Sequence, residues 1–262
     1  MSAAPLRAAA ACSAILLAAG RGERMRPLTD TCPKPLLPVG GKPLMQWPME
    51  ALVRGGVTGL VVNTAWLGEQ ISGHFGNSFA ATESDTDARE ALAIAYSHEG
   101  RDFGRALETA GGISRALPLL GDVFWVLAGD VFAPDFVFSP AAMDRFAAGN
   151  KLAHLWLVPN PAHNVRGDFG LSADGLALNQ AETKYTYSTI GLYRRALFEP
   201  PWCSIAPGNP EGRLAPLAPL LRAAMDNGLV SAEPYAGRWA DVGTPQRLAT
   251  LNQSIPDPLN AS

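Results

Sequence analysis

Leu17-Ala18-Ala19-Gly20-Arg21-Gly22-Glu23-Arg24-Met25-Arg26-Pro27-Leu28-Thr29 is followed at once by Pro33-Lys34-Pro35-Leu36-Leu37-Pro38-Val39. The apolar run Ala14–Ala18 predicts a buried strand, which leads into a turn with two glycines and then a cluster of arginines with one lysine. Backbone N–H groups fit around phosphate oxygens and cationic side chains neutralise them, so the pattern suits a polyphosphate. Two better-known phosphate loops do not fit. A dinucleotide fingerprint wants a third glycine at position 25, where Met25 stands. A P-loop wants Gly-Lys-Ser/Thr, which is absent. For Gly20 and Gly22 taken alone, a glycine turn with a solvated basic rim is an equal alternative.

Joined to the Pro-Lys-Pro-Leu continuation, the loop resembles the signature of the nucleotidyltransferases that make nucleoside-diphosphate sugars from sugar 1-phosphates. The resemblance covers nearly all of the chain after residue 13. It includes Asn63-Thr64-Ala65-Trp66-Leu67-Gly68, Leu119-Leu120-Gly121-Asp122, Arg166-Gly167-Asp168-Phe169 and the Trp239–Thr244 element. The pattern looks most like the short uridylyltransferases acting on N-acetylmuramate 1-phosphate in bacterial cell-wall recycling. Mannose-1-phosphate guanylyltransferases and glucose-1-phosphate thymidylyl- or uridylyltransferases are close alternatives. A cytidylyltransferase acting on phosphocholine shares the opening motif, and a non-catalytic paralogue that senses a nucleotide sugar is the alternative from another class.

The resemblance implies an α/β fold, a mostly parallel mixed sheet covered by helices on both faces and Rossmann-like in character. It implies UTP (or another nucleoside triphosphate) and a sugar 1-phosphate as partners, with Mg2+ as cofactor. The chain then divides into a flexible extension (1–12), a nucleotidyltransferase domain (13–255) and a tail (256–262). Within the domain, 13–135 would bind the nucleotide and 136–255 the sugar phosphate.

Composition agrees with a globular enzyme. The chain has 262 residues, 47% hydrophobic and 17% charged, with a net charge of −3, so nothing draws it generally to nucleic acid or an anionic membrane. No apolar run approaches the roughly 20 residues that span a bilayer. Arg7 ahead of an alanine-rich stretch superficially suggests a signal peptide, but cleavage near Ala18-Ala19 would cut the strand that aims the phosphate loop. The expectation is a cytoplasmic protein, a monomer or small homo-oligomer. Cys12, Cys32 and Cys203 are scattered and odd in number, which favours free thiols over a disulfide framework.

Strand and helix patterns alternate. Strands are expected at Ala14–Ala18, Leu60–Asn63, Ala91–Ser97, Val123–Ala128 and Leu152–Val158, with shorter ones around Phe169–Leu171 and Ile190–Tyr193. Helices are expected over Pro43–Val53, Leu67–Phe75, Thr109–Leu117, Ala141–Ala148, Leu217–Met225 and Gln246–Leu251. No internal repeat or hexapeptide array is visible. The acidic stretch Ser78–Glu90 contains Asp85-Thr86-Asp87, read as a solvated connector rather than a metal site because no strand end precedes it.

The candidate site residues follow. Val126-Leu127-Ala128-Gly129-Asp130 is an apolar strand ending in Gly-Asp, at the edge where open α/β sheets bind ligands. By the resemblance Asp130 is a metal ligand and Asp241, in Trp239-Ala240-Asp241-Val242-Gly243-Thr244, is the second. Thr244 and Pro245 are better placed to cap and start the next helix, which leaves Asp241 free for other work. Ala18, Ala19, Gly20, Arg21, Gly22, Arg24, Lys34 and Ala128 are implied around the phosphates, and Arg24, Lys34 and Asp130 carry catalysis. Glu108, Thr109, Ala110 and Gly111 open a helix whose unpaired N–H groups would line the base pocket. The bland alternative is an ordinary N-cap at Thr109. Glu99 either accepts a hydrogen bond from the base or is solvated. For the sugar phosphate, Asn160, Asp168, Glu182 and Lys184 are the candidates, with Lys184 an uncertain stand-in for the family's Glu-Lys-Pro lysine. His163 and Asn164 read most simply as loop residues.

Overall fold

The computed structural model describes residues 12–80 and 91–255. The expectations for residues 1–11, for the tail 256–262 and for Asp85-Thr86-Asp87 lie outside those residues. Eight strands form one sheet: β1 (Cys12–Ala18), β2 (Gly59–Thr64), β3 (Ser78–Phe79), β4 (Leu92–His98), β5 (Leu120–Ala128), β6 (Ala153–Val158), β7 (Thr186–Arg194) and β8 (Val230–Pro234). Their spatial order is β8-β6-β7-β5-β1-β2-β4-β3. β1 pairs in parallel with both β2 and β5, and β2 with β4. β7 runs antiparallel to β5 and β6, β3 runs antiparallel to β4, and β8 lies parallel to β6. Six strands therefore point one way, and the carboxyl ends of β1 and β5 lie side by side.

Among the described residues there are seven α-helices: α1 (Gln46–Arg54), α2 (Gly68–Phe75), α3 (Glu99–Phe103), α4 (Glu108–Ala116), α5 (Pro140–Ala148), α6 (Leu217–Asp226) and α7 (Pro245–Ser254). Strand alternation decides which face each residue serves. Ala14, Leu16 and Ala18 of β1 pack with Met49 and Leu52 of α1, Ile71 of α2 and Phe146 of α5. Ile15 faces the opposite layer, with Ile113 of α4 and Leu221 of α6.

Two expectations need correction, and two elements were not expected. The helix read from Pro43 begins at Gln46, because Lys42–Pro43 pairs antiparallel with Pro38–Val39 in a small hairpin. The short strand around Ile190 is a nine-residue strand inside the sheet, third from one edge and irregular between Tyr187 and Gly191. A helix at Glu99–Phe103 and the edge strand β8 carry too weak a periodic signal to be read from the sequence.

A third, smaller core holds the phosphate loop in place. Met25, where a dinucleotide loop would have glycine, is fully buried with Leu37, Val39, Leu44, Phe132, Val242 and Leu248. This cluster ties the loop to the far end of the chain. Truncation by Met25→Ala leaves a cavity there, and we expect a stability loss of about 2–5 kcal/mol in urea unfolding with the m-value unchanged.

Candidate active site

β1 delivers the phosphate loop to the carboxyl edge of the sheet. Gly22 sits at φ 69°, a left-handed conformation open to glycine, and the buried Thr29 hydroxyl donates to its carbonyl at 2.8 Å. Among the described residues, the N–H groups of Gly20, Arg21, Gly22 and Glu23 donate to no protein acceptor. They form a run of free donors of the kind that cradles anions. The Arg21 side chain is turned away to bind the Thr29 carbonyl at 2.8 Å and Asp30 at 2.9 Å, and it stacks on Trp66. Arg21 therefore braces the loop with its side chain and offers only its backbone. Arg24 is exposed and forms no ion pair among the described residues.

Lys34 and Asp130 meet. The ammonium of the nearly buried Lys34 lies 2.5 Å from the Asp130 carboxylate. Both line a cleft of about 580 Å3 together with Ala18, Ala19, Gly20, Glu108, Thr109, Ala128 and Asp168. Asp241 comes to the same edge by a short antiparallel bridge, Asp241 opposite Val131, with the Val242 N–H donating to the Asp130 carbonyl at 3.0 Å. The Thr244 hydroxyl caps α7 and Pro245 begins it, as expected. Asp241 is held by Arg247, and its other oxygen lies 3.0 Å from His163 Nε2. His163, read from the sequence as a plain loop residue, is thus part of this cluster, and burial together with Arg247 and Arg24 lowers its pKa.

The donor set fits a hard divalent cation in part. Two carboxylates from adjacent backbone segments are the oxygen ligands such an ion takes when phosphates supply the rest. Among the described residues no group of three acidic, His or Cys side chains is gathered, so the protein alone offers no closed cage.

At the other end of the cleft the expectations change. α4 begins at Glu108, which has φ 63°, so Thr109 lies inside the helix and is not its cap. The N–H groups of Ala110 and Gly111 both donate to the Ala215 carbonyl, at 2.9 and 3.0 Å, and are not free for a base. Gly111 is required by this contact, since a Cβ there would lie 2.6 Å from the Arg213 carbonyl oxygen. Glu108 and Thr109 remain on the cleft wall, while Ala110 is fully buried.

Glu99 is not solvated; it lies on the cleft wall. It is fully buried and accepts from Asn63 Nδ2 and from the Leu107 N–H, both at 2.7 Å, while Asn63 Oδ1 accepts from the Ala18 N–H at 2.8 Å. This chain of bonds ties the end of β1 to the start of α4. Burial raises the Glu99 pKa against the lowering effect of its two hydrogen bonds. The protonated form is therefore favoured by the fold, and the stability it contributes is lost as pH rises through the raised value. Relative to Glu99→Gln, the wild type should lose unfolding free energy as pH climbs from the ordinary carboxylate pKa; a difference that stays flat across that window would contradict this.

On the sugar side, Asp168 lines the cleft and accepts from the Tyr187 N–H at 2.8 Å and Asn164 Nδ2 at 3.2 Å. Asn164, read as a plain loop residue, orients it. Asn160 braces the loop by donating to the Lys184 carbonyl at 2.8 Å and accepting from the Thr186 hydroxyl at 2.9 Å. Lys184 itself reaches back to the Asn179 carbonyl at 3.0 Å, and Glu182 is exposed; neither lines the cleft. Sequence reading missed Thr189. It lies on the cleft wall with φ 63° and a buried hydroxyl that has no partner among the described residues, and a β-branched residue in that conformation leaves no trace in a sequence pattern. Cys12, Cys32 and Cys203 are free thiols. No helix among the described residues is long and apolar enough to cross a membrane.

Comparison with known proteins gives the family. The model of the nucleotidyl transferase family matches residues 13–172. The N-acetylmuramate alpha-1-phosphate uridylyltransferase of Neisseria meningitidis is 44% identical over 90% of this chain and 94% of its own length. That of Caulobacter vibrioides is 31% identical over 89% and 92%. Among solved structures, a Bacillus anthracis protein assigned as a glucose-1-phosphate thymidylyltransferase, in complex with sucrose, superimposes with a TM-score of 0.72 at 19% identity, covering 95% of this chain and 97% of that one. HddC of Yersinia pseudotuberculosis, complexed with GMP-PN, gives 0.67 at 16% identity over 93% and 99%. The chain belongs to the nucleotidyl transferase family and, within it, to the sugar-1-phosphate nucleotidyltransferases.

Proposed function

We propose that this enzyme transfers a uridylyl group from UTP to N-acetylmuramate 1-phosphate, giving UDP-N-acetylmuramate and pyrophosphate. The observation that carries the reading is the Lys34–Asp130 pair at the mouth of a cleft, beneath a run of unpaired loop amides. The two full-length uridylyltransferase relatives support the choice of substrates. Cell-wall sugar recycling in the cytoplasm is the setting this reaction suits.

A phosphate oxygen of the sugar 1-phosphate attacks the α-phosphorus in line with departing pyrophosphate. No general base is needed, because a sugar phosphate is already ionised at neutral pH. Catalysis is positioning and charge stabilisation. The amides of Gly20 to Glu23 surround the outer phosphates and Arg24 stabilises the leaving group. Lys34 lies against the α-phosphate and the attacking oxygen. Asp130 and Asp241 would hold Mg2+, which when bound neutralises the triphosphate oxygens and polarises the α-phosphate. Asp168 accepts from a sugar hydroxyl.

The deciding experiment measures pyrophosphate release across four nucleoside triphosphates and a panel of sugar 1-phosphates that includes N-acetylmuramate, N-acetylglucosamine, glucose and mannose. UTP with N-acetylmuramate 1-phosphate should give the highest kcat/KM. A preference for GTP with mannose 1-phosphate would overturn the assignment.

A further inference from the structure

Arg247 occupies a position where two effects oppose a cation. It is the third residue of α7, so the positive end of the helix dipole acts on it. It is partly buried. Helical side chains lean toward the N-terminus of their helix, and Arg247 does so, reaching back to Asp241 in the segment that leads into α7. Its guanidinium also lies 3.0 Å from His163 Nε2. What holds the cation there is the carboxylate of Asp241. Lys34 stands in the same relation to Asp130, so each acid carries an internal cation.

We propose that Arg247 is a positioning residue that holds the place of the divalent cation at Asp241. It keeps the carboxylate ordered and its charge balanced while the nucleotide is absent, and it yields when metal arrives with the triphosphate. The inference rests on the reading of Asp241 as a metal ligand. Its consequence is a linked entry of metal and nucleotide: free metal competes with a tethered guanidinium, whereas metal carried by a triphosphate brings the anionic charge that accepts the displaced one. The released guanidinium then adds to the positive field around Arg24.

The test titrates Mn2+ into the full nucleotide-free chain by electron paramagnetic resonance, and repeats the titration with UTP present. Arg247→Gln removes the competing charge and should tighten Mn2+ binding to the nucleotide-free protein by about tenfold. Arg247→Lys restores a cation and should bind Mn2+ as the wild type does. Adding Asp241→Asn to Arg247→Gln should abolish the gain. Mn2+ affinity unchanged or weakened in Arg247→Gln overturns the proposal, and so does an equal gain in Arg247→Lys. A lowered melting temperature without tighter Mn2+ binding makes Arg247 a brace for the helix end, which also overturns it. These failures leave Asp241 as a ligand, provided Asp241→Asn alone weakens Mn2+ binding in the UTP complex. If that variant does not weaken it, the underlying reading fails as well.

Discussion

Asp130→Asn lowers kcat by at least ~10²-fold at saturating UTP, sugar phosphate and metal, the loss expected when a preorganised charge is removed from the reacting phosphate. The position allows no local substitute. Asp130 lies two residues past β5, beside the end of β1, and its backbone carbonyl is pinned by the Val242 N–H at 3.0 Å. A carboxylate from elsewhere would have to displace that bridge. The isosteric change keeps the fold, since the Asp130 side chain is 40% exposed, and the melting temperature should move little. Steady-state kinetics with a metal titration checks the result. Near-full metal-dependent turnover in Asp130→Asn or Asp130→Ala would refute its role.

Lys34→Met has the second large effect, again at least ~10²-fold in kcat, with the loss concentrated in kcat rather than in KM for UTP. The Lys34 side chain is only 11% exposed, so its stem is packed and methionine fills much the same space. Stability should hold or rise slightly, because the partner carboxylate can rehydrate when the ammonium is gone. Lys34→Arg should not rescue the enzyme: a planar guanidinium cannot occupy a pocket shaped around a compact ammonium. Because Lys34 and Asp130 touch, their losses should not add, and the Lys34→Met/Asp130→Asn double variant should fall well short of the product. Full additivity would place the two residues in separate steps.

Much of the molecule was legible in the sequence, and the reasons are local. β1, β2, β4, β5 and β6 are apolar runs bounded by turn residues, and burial on both faces is what such runs require. Thr244 and Pro245 announce a helix start through hydrogen-bonding capacity and fixed φ, and α7 begins there. Gly20, Gly22, Lys34 and Asp130 were candidates because loop chemistry and a strand-end carboxylate are written in consecutive residues. What consecutive residues do not record is which groups are already in use. Ala110 and Gly111 have their N–H groups taken by Ala215, and Lys184 is drawn to Asn179. Those partners come from segments with no periodic mark of their own.

The sequence by itself determined the alternating architecture, the phosphate loop and the identity of the charged groups, since each depends on short-range pattern and side-chain chemistry. The tertiary structure decided which of them meet. Burial of Met25 with Val242 and Leu248 folds the late segment back over the loop, and that packing sets Asp241 beside Asp130 and puts Arg247 and His163 on the Asp241 carboxylate. Hydrophobic burial is non-directional, so only the assembled core specifies which distant charges share one edge of the sheet.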